Sequence, residues 1–123
     1  MRKKLTDEWK ERGVTQDKDY AILTNEMTKS WSGMTVQEYK AYKGLKKESL
    51  RDNMTDIELV LNMLAEVTTT AISQKEKPST MPEHKQVARS GGAVAKNARI
   101  DIEKRKPILS NVMGGLSGPA VFP

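Results

Sequence analysis

The stretch TDIELVLNMLAEV, Thr55 to Val67, decides the fold of this 123-residue chain. Thr55 and Glu58 have the spacing of a capping box. In that motif the threonine hydroxyl accepts a free N–H of the first turn, and the glutamate reaches back to the threonine's own N–H. A helix therefore starts here, and the residues behind the box keep helical time. Ile57, Val60, Leu61, Leu64, Val67 and Ala71 recur at three and four along one broad face, with Leu59 and Met63 beside it. Being the most apolar segment, it is expected to be the central helix of an all-α domain. The threonines at 68 to 70 weaken it toward Ser73. Lys77-Pro78 ends it, because a residue before proline is driven out of the helical region.

Working upstream, Thr35 and Glu38 form an equivalent box. It opens a short helix that runs to Gly44 and carries Val36, Tyr39 and Tyr42. Before it, Thr15 is expected to cap a helix from Gln16 to Trp31, with Tyr20, Leu23, Met27 and Trp31 on one face and Gly33 as its stop. A first helix spans Lys3 to Arg12 and ends at Gly13, and a single turn is expected over Ser49 to Asn53. Downstream of the linker KPSTMP, a long helix starts at Pro82 or Glu83 and runs to about Arg105. At about 100° per residue, Val87, Ala88, Gly91, Val94, Ala95, Ala98 and Ile102 share one side of it. Gly91 and Gly92 cost roughly 1 kcal/mol each against alanine, which implies that another helix crosses closely there. No strand alternation and no internal repeat stands out. The architecture expected is a bundle of four to five helices over residues 1–106. An irregular, uncharged tail follows at 107–123, either disordered or laid into a groove through its apolar residues.

Several classes of chemistry fall away on composition. With no cysteine and one histidine there is no thiolate, no disulfide frame and no ordinary zinc site. His84, at the polar start of the last helix, is expected to be solvated. No phosphate-loop motif occurs, since Gly91-Gly92 sits inside a helical pattern rather than after a strand. No set of residues meets the role test for catalysis, so neither an enzyme nor a cofactor is expected. No apolar run approaches the roughly 20 residues of a membrane span, and the start lacks a signal peptide's apolar core. A cytoplasmic protein without a membrane partner is expected. The aromatics sit at helical spacing and belong to a core, although Tyr39 and Tyr42, beside Lys40 and Lys43, also have the neighbours for stacking on single-stranded bases.

Charge is the feature that remains. The net charge is +5, and it is localised: residues 1–74 are balanced, while residues 75–106 hold nine Lys/Arg against four Asp/Glu. On the last helix Lys85, Arg89, Lys96, Arg99 and Lys106 fall opposite the apolar side. Such a ridge is either an ordinary solvated face or a line of positive charge for a phosphate backbone, which needs little else.

The run from Tyr20 to Val67, through WSGMT, EYKAYKGL, LRDNMTDIEL and NMLAE, closely resembles the C-terminal half of the DNA-damage-inducible protein D family. A weaker likeness continues through Val87-Ala88-Arg89-Ser90-Gly91-Gly92, Ala98-Arg99 and Pro107 to Ser110, then departs where the tail turns apolar. Members of that family join a BRO-type domain, as found in phage antirepressors, to a helical C-terminal region. No BRO-type stretch occurs in these 123 residues, so that domain's role is not expected here. The resemblance implies a part in the bacterial response to DNA damage, linked to restraint of a RecA-type recombinase on DNA; taken with the basic ridge, the partners expected are a recombinase filament, single-stranded DNA, or both. It brings no enzymatic motif to these positions. A different expectation also stands, namely an oligomerisation module of an antirepressor-like protein, forming a homodimer and using the ridge only for solubility.

Overall fold

The computed structural model describes residues 2–105. In chain order these form α1 (Arg2–Glu11), α2 (Asp17–Ser32), α3 (Val36–Tyr42), a single 3-10 turn (Arg51–Asn53), α4 (Asp56–Glu76) and α5 (Met81–Glu103), with no strand among the described residues. The domain is all-α. Lys106 and the tail expected over 107–123 lie outside the described residues.

Local chemistry sets the helix starts. The boxes at Thr35/Glu38 and Thr55/Glu58 are both closed, the glutamates accepting the threonine N–H at 2.9 and 2.8 Å. A third box opens α5, where Thr80 N–H donates to Glu83 at 3.0 Å. It moves the helix start to Met81, ahead of the Pro82 or Glu83 expected. Pro82 then sits in the first turn, where its missing N–H breaks no helical hydrogen bond. The helix α2 starts on Gln16, which makes no side-chain cap, rather than on the expected Thr15. Its stop is Gly33, in the left-handed region at φ 83°, with its N–H closing onto the Lys29 carbonyl at 2.9 Å. Lys77 ends α4 at φ 50°. That left-handed turn costs a non-glycine residue about 1 kcal/mol, held by its bond to Ser73 O at 2.8 Å and by the proline that follows.

The helix α5 lies between α2 and α4, α1 crosses α4, and α3 sits beside α2. Consecutive glycines make this possible because they face different neighbours. A Cβ on Gly91 would fall 1.9 Å from Thr69 Oγ1 and 2.8 Å from Thr69 Cα on α4. On Gly92 it would fall 2.5 Å from Ser30 Cβ and 2.6 Å from the Met27 carbonyl on α2. The close crossing implied by the sequence is present, and it is two crossings. Trp9, Trp31, Tyr39, Leu5 and Leu23 fill the remaining core, and Trp31 meets the Tyr39 ring at 6.0 Å between centroids.

The apolar face of α4 is where expectation and structure part. The buried positions are Glu58, Leu61, Asn62, Ala65, Glu66, Thr69, Thr70 and Ser73. Val60 and Val67, assigned to the core from their spacing, are 59% and 42% exposed. The cause is the crossing with α5, which needs small side chains at Ala65 and Thr69, together with the ion pairs that let Glu58 and Glu66 enter the core. His84 is a second correction. It is 2% exposed, not solvated, because it stands four residues before Ala88 and seven before Gly91 on the buried stripe of α5.

Candidate nucleic-acid interface

Packing on two sides widens the buried arc of α5, and the expected ridge does not survive whole. Lys85 is half-buried at the edge of the arc, while Arg89 and Lys96 are exposed. Arg89 pairs with Glu26 on α2 at 3.2 Å, so part of its charge is neutralised. Arg99 is the clear exception, at 3% exposure. Its guanidinium donates to the Ser32 carbonyl at 3.5 Å and lies 4.0 Å from Glu103. Desolvation lowers its pKa, with Glu103 pulling the other way. The same burial raises the Glu103 carboxyl, against the pull of Arg99. Arg99 is therefore a core cation, and Lys106 lies outside the described residues. What remains is a line of three side chains, Lys85, Arg89 and Lys96, spanning roughly 16 Å of helix.

A second group of cations, separate in sequence, converges on a cleft of about 280 Å³ between α2, α3, the 3-10 turn and α4. Arg2, Lys40 and Arg51 line it, together with Thr24, Ser49 and Asn62, and Glu66 is its one carboxylate. Glu66 is 1% exposed and shared by both arginines. Arg51 Nη1 donates to its two oxygens at 3.1 and 3.0 Å, and Arg2 Nη1 stands 4.0 Å away. Arg2 also donates to Thr24 Oγ1 at 2.7 Å and lies over the Trp9 ring. Burial lowers the Arg2 pKa, Glu66 raises it and Arg51 lowers it further. Two guanidinium groups on one carboxylate leave a positive excess, and Lys40 adds to it. Such a cleft attracts anions, with field lines focused by its low-dielectric walls.

Two further carboxylates are sunk in the core, and each holds partners. Glu58 accepts from Lys43 Nζ at 2.8 Å, from the Tyr39 hydroxyl and from the Thr55 N–H. Burial, and then the hydrogen bond and charge of Glu58, push the Tyr39 pKa up, so the phenol stays a donor. Tyr39, fully buried, has no face left for base stacking, whereas Tyr42 is 36% exposed. Glu8 accepts from Arg12 Nε at 2.9 Å and from Ser73 Oγ at 2.8 Å. His84 lies against this corner. Neither ring nitrogen has a hydrogen-bond partner of good geometry. Burial lowers its pKa, while the Arg12 backbone and the Glu8 charge oppose that shift. Among the described residues no cluster of acidic, histidine or cysteine side chains could hold a metal ion, and no helix is long and apolar enough to cross a membrane.

Sequence reasoning reached Lys85, Arg89 and Lys96 through helical periodicity, and it missed Arg2, Lys40 and Arg51. Those three sit on three different elements, so no single spacing joins them. The nearest signal was the composition of KESLRDNMT, a basic residue set in a polar turn just ahead of a capping box.

Comparison with known proteins yields one short likeness and one long one. Over 24 residues the chain is 79% identical to the dihydroorotate dehydrogenase B (NAD(+)) catalytic subunit of Alkaliphilus metalliredigens. It is 75% identical over 24 residues to those of Desulforamulus reducens and Geobacter sulfurreducens. That stretch is 20% of this chain and spans only 8% of the length of these curated relatives, too little to carry a fold or an activity across. No solved structure matches. The long likeness, to the DinD C-terminal domain, runs over residues 1–111 and takes in every helix described above, so the chain belongs to the DinD C-terminal domain family.

Proposed function

We propose that this domain is a non-catalytic binding module of the DNA-damage response. In this reading it modulates recombination or repair by engaging the phosphate backbone of single-stranded DNA, bare or within a RecA-type recombinase filament in the cytoplasm. The observation that carries it is the cationic cleft, where Arg2, Lys40 and Arg51 gather around a single carboxylate that both arginines already bridge. A phosphate entering there meets a net positive site without displacing a buried pair. Half-buried Lys85 and exposed Arg89 and Lys96 on α5 supply further sequence-independent contacts. A binding role also suits the sealing of the sole histidine in the core, out of reach of any substrate. The test is co-sedimentation with single-stranded DNA, with recombinase alone and with the assembled filament, at about 50 mM salt. The protein is expected to pellet with DNA and with filament. If it stays in the supernatant in all three, the proposal fails.

A further inference from the structure

The outward face of α4 exposes Val60, Val67 and Ala71 at helical spacing, with half-buried Met63 and Leu64 on its flanks and Leu64 also packed on the core, a stripe free of charge over roughly 16 Å. Val60 at 59% and Val67 at 42% are among the most exposed large apolar side chains of the described chain. A polar helix face would be the default for a surface helix. On α4, Glu58, Glu66, Asn62 and small hydroxyls share the core-facing side with Leu61 and Ala65, and apolar side chains are left on the surface. No residue of the cationic cleft belongs to this stripe, so it stands independently of the phosphate-binding reading.

We infer that the stripe pairs with the same stripe of a second copy, in antiparallel register about a twofold axis near Ala65 and Glu66. That register sets Val60 against Ala71 of the second copy and Leu64 against Val67, so large meets small at the ends and branched meets branched at the centre. Charge at the two ends fixes the direction. Asp56 is exposed at the start of α4. At the other end exposed Lys4 of α1 joins Val67, Thr70, Ala71 and Gln74 around a shallow pocket of about 300 Å³. On the helical wheel Asp56 and Gln74 fall on the same flank of the stripe, and a twofold operation keeps that flank on one side of the interface. Antiparallel pairing therefore brings Asp56 of each copy to Lys4 of the other. Parallel pairing would put the two copies of this flank on opposite sides of the interface and leave Asp56 and Lys4 at opposite ends, so neither would meet the other. The isologous contact needs nothing beyond residues already in the chain. A stripe this narrow is smaller than a permanent interface, so association depends on concentration.

Sedimentation equilibrium of the full chain from micromolar to millimolar concentration reads this directly. A rise from monomer to dimer mass is expected. Val67→Asp should abolish it with unchanged circular dichroism, since the side chain is already exposed. Asp56→Lys and Lys4→Asp should each weaken dimerisation several-fold, and the double exchange should restore it. Monomer mass at every concentration overturns the proposal, as does undiminished dimerisation of Val67→Asp or failure of the double exchange to rescue. In this cysteine-free chain, Val67→Cys gives a thiol to label. A monomer in which that thiol becomes more reactive once residues 107–123 are removed would assign the stripe to the chain's own C-terminal segment, and would equally overturn it.

Discussion

Glu66 shows how single residues hold this domain together. Its carboxylate is buried, and Arg51 Nη1 donates to both of its oxygens. Removing one partner of a buried pair costs about 3–5 kcal/mol, because the other charge is left behind. Arg51→Ala should therefore lower unfolding stability by about that amount, reduced somewhat by Arg2, whereas exposed Lys96→Ala should leave denaturant midpoints unchanged. Gly91 makes a steric case. Even an alanine there would collide with the Thr69 backbone at 2.8 Å. Gly91→Ala should cost about 1–3 kcal/mol despite its better helix propensity, and an unchanged melting temperature would refute the crossing geometry. His84 gives a pH signature. Its pKa is lowered by burial, so the unfolded chain binds its proton more readily than the folded one. Its contribution is complete above the ordinary histidine range and is lost as pH falls from there toward the depressed folded value. Urea midpoints should drop over that window, and His84→Gln should flatten the drop.

At the scale of elements, what was legible was whatever the chain decides locally. The boxes at Thr35 and Thr55 involve residues three apart, and both form as their spacing requires. Thr80 and Glu83 carry the same signal, and it places the start of α5 better than Pro82 does. The faces of helices were harder to read, because tertiary partners choose them. Leu23, Met27 and Trp31 on α2 behaved as their spacing says, while α4 kept Leu61 in the core with Ile57 and Leu64 packed at its edge and left Val60, Val67 and Ala71 exposed. Nothing near Glu58 or Glu66 in sequence announces that Lys43 and Arg51, fifteen residues upstream of each, will follow them into the core. Arg99 fails for a related reason. A wheel assigns one apolar side, but a helix packed between two neighbours buries a wider arc, and Arg99 lies at its edge. Acid should report on the boxes. Hydrogen bonds from the Thr35 backbone and hydroxyl depress the Glu38 pKa, and those from Ser79 and Thr80 depress that of Glu83. Their stabilisation is present above the ordinary carboxylate range and disappears as pH falls through the depressed values. Glu83→Gln should weaken that acid limb without touching the one that belongs to His84, and acid titrations followed by circular dichroism can resolve the two.

Over the whole molecule, the chain uses a good share of its charge internally. Glu8, Glu58 and Glu66 are all buried, and each holds at least one cation. The positive surface that results comprises the cleft of Arg2, Lys40 and Arg51 and the shortened line of Lys85, Arg89 and Lys96, rather than one continuous ridge. Of these, Lys40, Lys85 and Lys96 belong to no ion pair found among the described residues, so they can be changed with little cost to folding. The most direct measurement is the slope of log affinity for single-stranded DNA against log salt, for the unaltered protein and for the Lys40→Gln/Lys85→Gln/Lys96→Gln variant. Each lost phosphate contact flattens that slope by about 0.7, so a change of about 2 is expected. A variant whose melting temperature and salt slope both equal those of the unaltered protein would contradict phosphate binding by this surface.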